Sequence, residues 1–218
     1  MKSIKTLIIT GGAIDEAFAG DYLQKQKFNF IIAADAGLIF CQKAGVEPDL
    51  IVGDFDSVSC EVLSEYERTC PHKIVRYPSQ KDETDTELAL HEALKRDSKE
   101  ITVLGATGTR LDHVLGNIQL LKAALDAGAV CYFVDANNRI RMIDSPLVLK
   151  KDEQFGTYVS LIPFTPLVEG LTLTGFAYGL EHFCLASGNG RCVSNEITEK
   201  QAEITFTSGL LIVIESRD

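Results

Sequence analysis

Between Thr6 and about Asp135 the chain alternates short apolar runs with longer stretches whose apolar residues recur at helical spacing, and no other feature narrows its fold as far. The runs are residues 6–10, 30–34, 50–52, 74–77, 101–104 and 130–134. Short runs that are apolar throughout mark strands buried on both faces, as in a parallel sheet. Between them, residues 38–44, 84–96 and 111–127 have the periodicity of helices with one apolar stripe. Strand and helix in alternation predict an α/β unit with a doubly wound, mostly parallel sheet.

After Ser145-Pro146 the texture changes. Residues 158–162, 171–174, 202–206 and 210–214 form short alternating segments, separated by Gly, Pro and Ser-Gly-Asn-Gly turn signals. Closely spaced turns and alternation predict antiparallel strands. The expected organisation is therefore an α/β domain over residues 1–145 and a small all-β sandwich or barrel over residues 146–218; 218 residues suffice for both.

The net charge of −10 opposes binding to a phosphate backbone, and no basic cluster offsets it locally, so nucleic acid is not an expected partner. A polyanionic nucleotide would need bridging cations here. The six cysteines form no C-x-x-C pair and the four histidines have no zinc-ligand spacing. Buried free thiols, no leader pattern in residues 1–10 and no run of membrane-spanning length predict a cytoplasmic protein.

In an open α/β sheet the ligand crevice lies beyond the carboxyl ends of the strands. Aspartates stand there repeatedly: Asp35 after residues 30–34, Asp54 and Asp56 in Gly53-Asp-Phe-Asp-Ser57, Asp82 and Asp85 after the run near Val75, and Asp112 one loop beyond Leu104. Any one of them fits an Asx turn. Converging at one rim, they would repel one another unless divalent cations sat among them, and magnesium, with its preference for carboxylates, water and phosphate oxygens, is the expected ion.

Thr84-Asp-Thr-Glu87 also reads as a capping box, which leaves Asp85 in the first helical turn facing the crevice. Lys81 beside it suits either a phosphate site or a solvated loop. Gly105-Ala-Thr-Gly-Thr-Arg110, between a strand and a helix, presents backbone amides from Gly105 to Gly108 and a guanidinium able to pair with phosphate. His113 is either a nucleotide contact or a helix-surface residue.

Together Asp35-Ala-Gly, Gly53-Asp-Phe-Asp-Ser57, Lys81-Asp-x-Thr-Asp-x-Glu87, Gly105-x-x-Gly-x-Arg-x-Asp-His113 and Ser194-Asn195 resemble, in order, the motifs of the thiamin pyrophosphokinase family. The resemblance implies a catalytic α/β domain for ATP and magnesium, a β domain that helps bind thiamin, and a homodimer with active sites between subunits. It implies that Asp54, Asp56 and Asp85 hold metal with Asp35 nearby, and that Lys81, Asp82, Thr84, Gly105, Gly108, Arg110, Asp112 and His113 surround the nucleotide. Asn117, Asn138, Ser194 and Asn195 become expected substrate contacts. Animal members stack thiamin on a tryptophan, which this chain lacks; Phe183 and Tyr178 are the aromatic candidates to replace it. A pyrophosphokinase acting on another alcohol, such as a hydroxymethylpterin, and a non-catalytic nucleotide sensor are the alternatives.

Overall fold

The computed structural model describes residues 4–218, so residues 1–3 of the N-terminal segment weighed above lie outside the described residues. The chain divides into two compact units, residues 1–136 and 137–218.

In the first unit the order is β1 (Ile4–Ile9), α1 (Glu16–Lys25), β2 (Phe30–Ala34), α2 (Gly37–Ala44), β3 (Leu50–Gly53), α3 (Cys60–Thr69), β4 (Ile74–Arg76), α4 (Asp85–Lys95), β5 (Ser98–Leu104), α5 (Leu111–Asp126) and β6 (Val130–Val134). Its strands lie in the order β6-β5-β1-β2-β3-β4, all parallel to their neighbours. The chain steps outward from β1 to β4, then returns to the other side of β1 for β5 and β6. Right-handed crossovers therefore place α1, α2 and α3 on one face and α4 and α5 on the other. Contacts of α1 with α2, α2 with α3, and α4 with α5 agree with that layering. Leu7, Ile8, Ile9, Ile32, Ile51, Ile101 and Phe133 are buried, as strands covered on both faces require.

Helices α1 and α3 were not expected from periodicity. Among their described residues α1 buries Ala19 and α3 buries Val62, so neither has a broad apolar stripe. Their starts are set by caps: Asp15 accepts from the Phe18 amide at 2.8 Å and Ser59 from that of Val62 at 3.4 Å.

The second unit contains β7 (Asn138–Ile143), β8 (Leu147–Lys150), β9 (Tyr158–Pro163), β10 (Leu167–Thr174), β11 (Leu180–Ala186), β12 (Asn195–Glu196), β13 (Gln201–Thr205) and β14 (Leu211–Ser216). Antiparallel pairing builds one layer in the order β12-β9-β14-β7 and another in the order β11-β10-β13-β8. Val159, Leu161 and Val213 from the first layer share one buried cluster with Leu171, Leu185 and Ile204 from the second, which makes a sandwich. The units divide upstream of the expected boundary near residue 145 because β7 pairs along its length with β14, from Asn138 opposite Ser216 to Ile143 opposite Leu211.

Candidate active site

In the first unit the strand order reverses between β1 and β5, the switch point at which open α/β sheets form a ligand crevice. The backbones that leave these two strands nearly touch. A Cβ on Gly12 would lie 2.0 Å from the Gly105 carbonyl oxygen, and one on Gly105, whose φ is +83°, would lie 2.4 Å from that of Thr10. Above this floor opens a cleft of about 540 Å³. Its walls come from residues 10–13 after β1, Asp35 and Ala36 after β2, Asp54, Asp56 and Ser57 after β3, the loop and first turn of α4, and the Gly105–Arg110 loop running into α5.

The three loops after β2, β3 and β4 bring the acidic residues together. Gly53 has a φ of +150°, and a Cβ there would lie 3.3 Å from Asp35 Cα, so the missing side chain lets the turn after β3 close on Asp35. Donor oxygens of Asp35, Asp54 and Asp56 all lie within 4.8 Å of one another. Asp35 and Phe55 hold left-handed backbones, φ 45° and 66°, a strain that well-determined functional turns carry. Asp54 Oδ1 accepts from the Asp56 amide at 3.2 Å, and Asp56 Oδ1 from the Ser57 hydroxyl at 2.8 Å. The first of these bonds, with Lys81 nearby, holds the Asp54 carboxyl below its usual range. Burial pushes that of Asp35 up; the Ala36 amide opposes this and the Asp85 and Asp56 charges reinforce it. Asp35 Oδ1 is buried and has no hydrogen-bond partner among the described residues. Three hard oxygen donors, one of them buried and unsatisfied, fit a small divalent cation.

Asp85 lies outside this trio. It lines the cleft from the first turn of α4, with its Oδ1 2.7 Å from Lys81 Nζ, which also reaches Asp54 Oδ2 at 3.4 Å. Burial alone would lower the Lys81 pKa, but the bonds to Asp85 and Asp54 raise it above the usual lysine value. Thr84 caps α4, its hydroxyl accepting from the Glu87 amide at 3.2 Å.

On the opposite wall, Asn117 donates to the Ala106 carbonyl at 2.7 Å and Thr107 to Asp135 at 2.7 Å, so the Gly105–Arg110 loop is anchored twice. Gly105, Gly108, Arg110, His113 and Asn117 line the cleft together with Lys81 and Thr84. Asp82 and Asp112 do not. Asp82 is an exposed loop residue, and Asp112 pairs with Arg110 at 2.6 Å, whose guanidinium draws its carboxyl down to about 2. Residues 10–13, Ser57, Ser79, Thr86 and Thr107 join the lining without having been singled out from sequence. Gly11-Gly12 was open to detection, since it follows β1 just as the aspartates follow their strands.

Asn138, Ser194 and Asn195 belong to the second unit. Asn138 begins β7, the Ser194 amide donates to Ser160 Oγ at 2.9 Å, and the Asn195 side chain accepts from the Tyr178 amide at 3.0 Å and donates to its carbonyl at 2.8 Å. That clamp presents Tyr178 with 72% of its surface exposed. Phe183 instead packs partly buried against the sandwich core, under the Arg191 guanidinium.

Comparison with known proteins matches both units. Residues 22–133 fit the family model described as thiamin pyrophosphokinase, catalytic domain, and residues 146–211 the one described as thiamin pyrophosphokinase, vitamin B1 binding domain. A thiamine pyrophosphokinase of Bacillus subtilis is 37% identical over 86% of this chain and 87% of its own. A crystal structure of the enzyme from that organism superposes with a TM-score of 0.87 at 33% identity, covering 98% of this chain and 99% of that one. A structure from Geobacillus thermodenitrificans gives 0.85 at 30% identity, covering 99% and 98%. With both family models matched in order and a relative this similar over most of its length, the chain belongs to the thiamin pyrophosphokinase family.

Proposed function

We propose that the chain transfers the pyrophosphoryl group of ATP, bound as a magnesium complex, to the hydroxyl of thiamin. The observation that carries this reading is the meeting of Asp35, Asp54 and Asp56 within 4.8 Å in a cleft also lined by Lys81, Arg110 and the amides of the Gly105 loop. Family membership makes the protein a diphosphotransferase. Asp35, Asp54 and Asp56 would hold the magnesium, which when bound would offset the charge of the phosphates. The Gly105–Arg110 amides and the start of α5 receive phosphate oxygens, and Arg110 at the mouth pairs with them bidentately. The thiamin hydroxyl oxygen bonds to the β-phosphorus as the bond from that phosphorus to the α-phosphate oxygen breaks. AMP leaves with the bond's electrons, and the hydroxyl proton passes to a rim carboxylate. Alignment and charge stabilisation supply most of the catalysis in such transfers.

In the second unit Asn138, Ser194 and Asn195 are the acceptor contacts, and exposed Tyr178 is the aromatic face for the cationic thiazolium. The protein acts in the cytoplasm as a homodimer with its sites between subunits. No helix of the described residues is long and apolar enough to cross a membrane. The family match favours neither a pterin alcohol as acceptor nor a non-catalytic sensor.

Purified protein given ATP and magnesium should form AMP and a diphosphate ester with thiamin and not with hydroxymethylpterin, and EDTA should stop the reaction. A product with the pterin alone would replace the acceptor; turnover undiminished by EDTA would remove the metal.

A further inference from the structure

Thr10, directly after β1, and Thr86, in the first turn of α4, join their hydroxyls at 2.9 Å. Both line the cleft, yet only 6% and 8% of their surfaces are exposed. Two hydroxyls carry two protons, and their mutual bond uses one. The second proton meets no acceptor among the described residues. A buried donor left unmet is destabilising, and an oxygen of a ligand in the cleft would satisfy it. The adjoining backbone adds donors of the same kind. The amides of Gly11 and Gly12 also meet no acceptor among the described residues, and both glycines line the cleft. A Cβ on Gly11 would lie 2.9 Å from that of Ala36, and one on Gly12 2.0 Å from the Gly105 carbonyl oxygen, so this stretch of wall is bare backbone. Clustered donors suit an anionic oxygen and offer nothing to a cationic thiazolium.

We propose that the Thr10–Thr86 hydroxyl pair, with the Gly11 and Gly12 amides, receives a phosphate oxygen of the nucleotide, separately from the Gly105–Arg110 loop. This inference rests on reading the cleft as the ATP site. The unspent proton of the pair goes to the phosphate oxygen, and the amides hold that group against the wall. A pair that served only to tie β1 to α4 would behave differently. Two apolar side chains of the same shape could replace it with little change in stability and none in ATP binding.

The test is calorimetric titration with magnesium–ATP, without thiamin, on wild type, on Thr10→Val with Thr86→Val, and on Thr10→Ser with Thr86→Ser. Valine keeps the shape and removes both protons; serine keeps both protons. The valine pair should weaken ATP binding about tenfold, the size expected for losing a hydrogen bond to a charged oxygen, with its urea midpoint near that of wild type. The serine pair should bind ATP within about twofold of wild type. Magnesium–tripolyphosphate, titrated in the same way, should lose affinity by the same factor as ATP. In turnover, the valine pair should raise the KM for ATP and leave that for thiamin unchanged. ATP affinity unchanged by the valines, or lost equally with serine, overturns the proposal, and so does a loss seen with ATP but not with tripolyphosphate. Wild type that binds no magnesium–ATP overturns the nucleotide reading itself, whereas wild-type binding with no response to the valines removes the role of the pair alone. If the valine pair does not fold, Thr10→Ala with Thr86→Ala is titrated instead, and the same loss or its absence decides.

Discussion

At Asp35 three unfavourable features coincide: a left-handed backbone, burial, and a carboxylate oxygen with no hydrogen-bond partner among the described residues. A bound divalent cation offsets the last two. Without metal they carry a pH signature, because burial, joined by the Asp85 and Asp56 charges, raises the Asp35 pKa above 3.8. The native state then holds this proton more tightly than the unfolded chain does. The contribution of Asp35 to stability therefore falls as pH rises from 3.8 through the raised native value. Asp35→Asn removes that titration, so in EDTA the variant should gain on wild type across this window and stay ahead above it. Thermal melts at stepped pH check this, and parallel curves for the two proteins would contradict it. Asp54→Asn, which removes one negative charge from the trio and the ionic partner that Lys81 has there, should lower kcat by at least about 100-fold with the circular dichroism spectrum unchanged. Near-normal turnover would refute the metal assignment.

Among elements, the closest approach in the site is that of the loops after β1 and β5. A Gly12→Ala methyl would meet the Gly105 carbonyl at 2.0 Å, and the backbone must move to admit it. The expected cost is about 1–3 kcal/mol in urea unfolding, with a raised KM for ATP because the Gly105 loop is displaced. Equal urea midpoints would show that the loops part freely. The strands around this contact were legible in sequence because burial on both faces leaves an unbroken apolar run. The aspartates were legible because a crevice forms at strand ends. Helices α1 and α3 were not, since each buries so little that its pattern is mostly polar. The same limit hid the roles of individual aspartates. Spacing puts Asp85 at the rim, but its ion pair with Lys81 and the inclusion of Asp35 in the trio depend on how three loops approach in space. Gly53 marks the approach to Asp35 in the sequence, and Gly105 that of the loops after β1 and β5, yet a glycine says only that something comes near, not what.

Over the whole molecule, each unit has its own core, and the second also holds an ion pair whose carboxylate is buried. Glu215, with its side chain 1% exposed, accepts from Arg139 at 2.9 and 2.7 Å and from the Phe155 amide at 3.1 Å. Arg139→Met would leave that carboxylate buried without its cation and should destabilise the second unit by about 3 kcal/mol, read from its urea transition. A change within error would mean that Glu215 finds another partner. The alternation that defined the first unit and the turn spacing that defined the second were both visible in sequence; the division at residue 136 was not, because β7 is assigned by its pairing with β14 and not by its own composition. What the assembled molecule does with ATP is decided by phosphorus-31 NMR of a reaction containing thiamin, ATP and magnesium. Pyrophosphoryl transfer yields AMP and thiamin diphosphate in equal amounts with no ADP, whereas ADP with thiamin monophosphate would show that the γ-phosphoryl group moves alone and that the proposed chemistry is wrong.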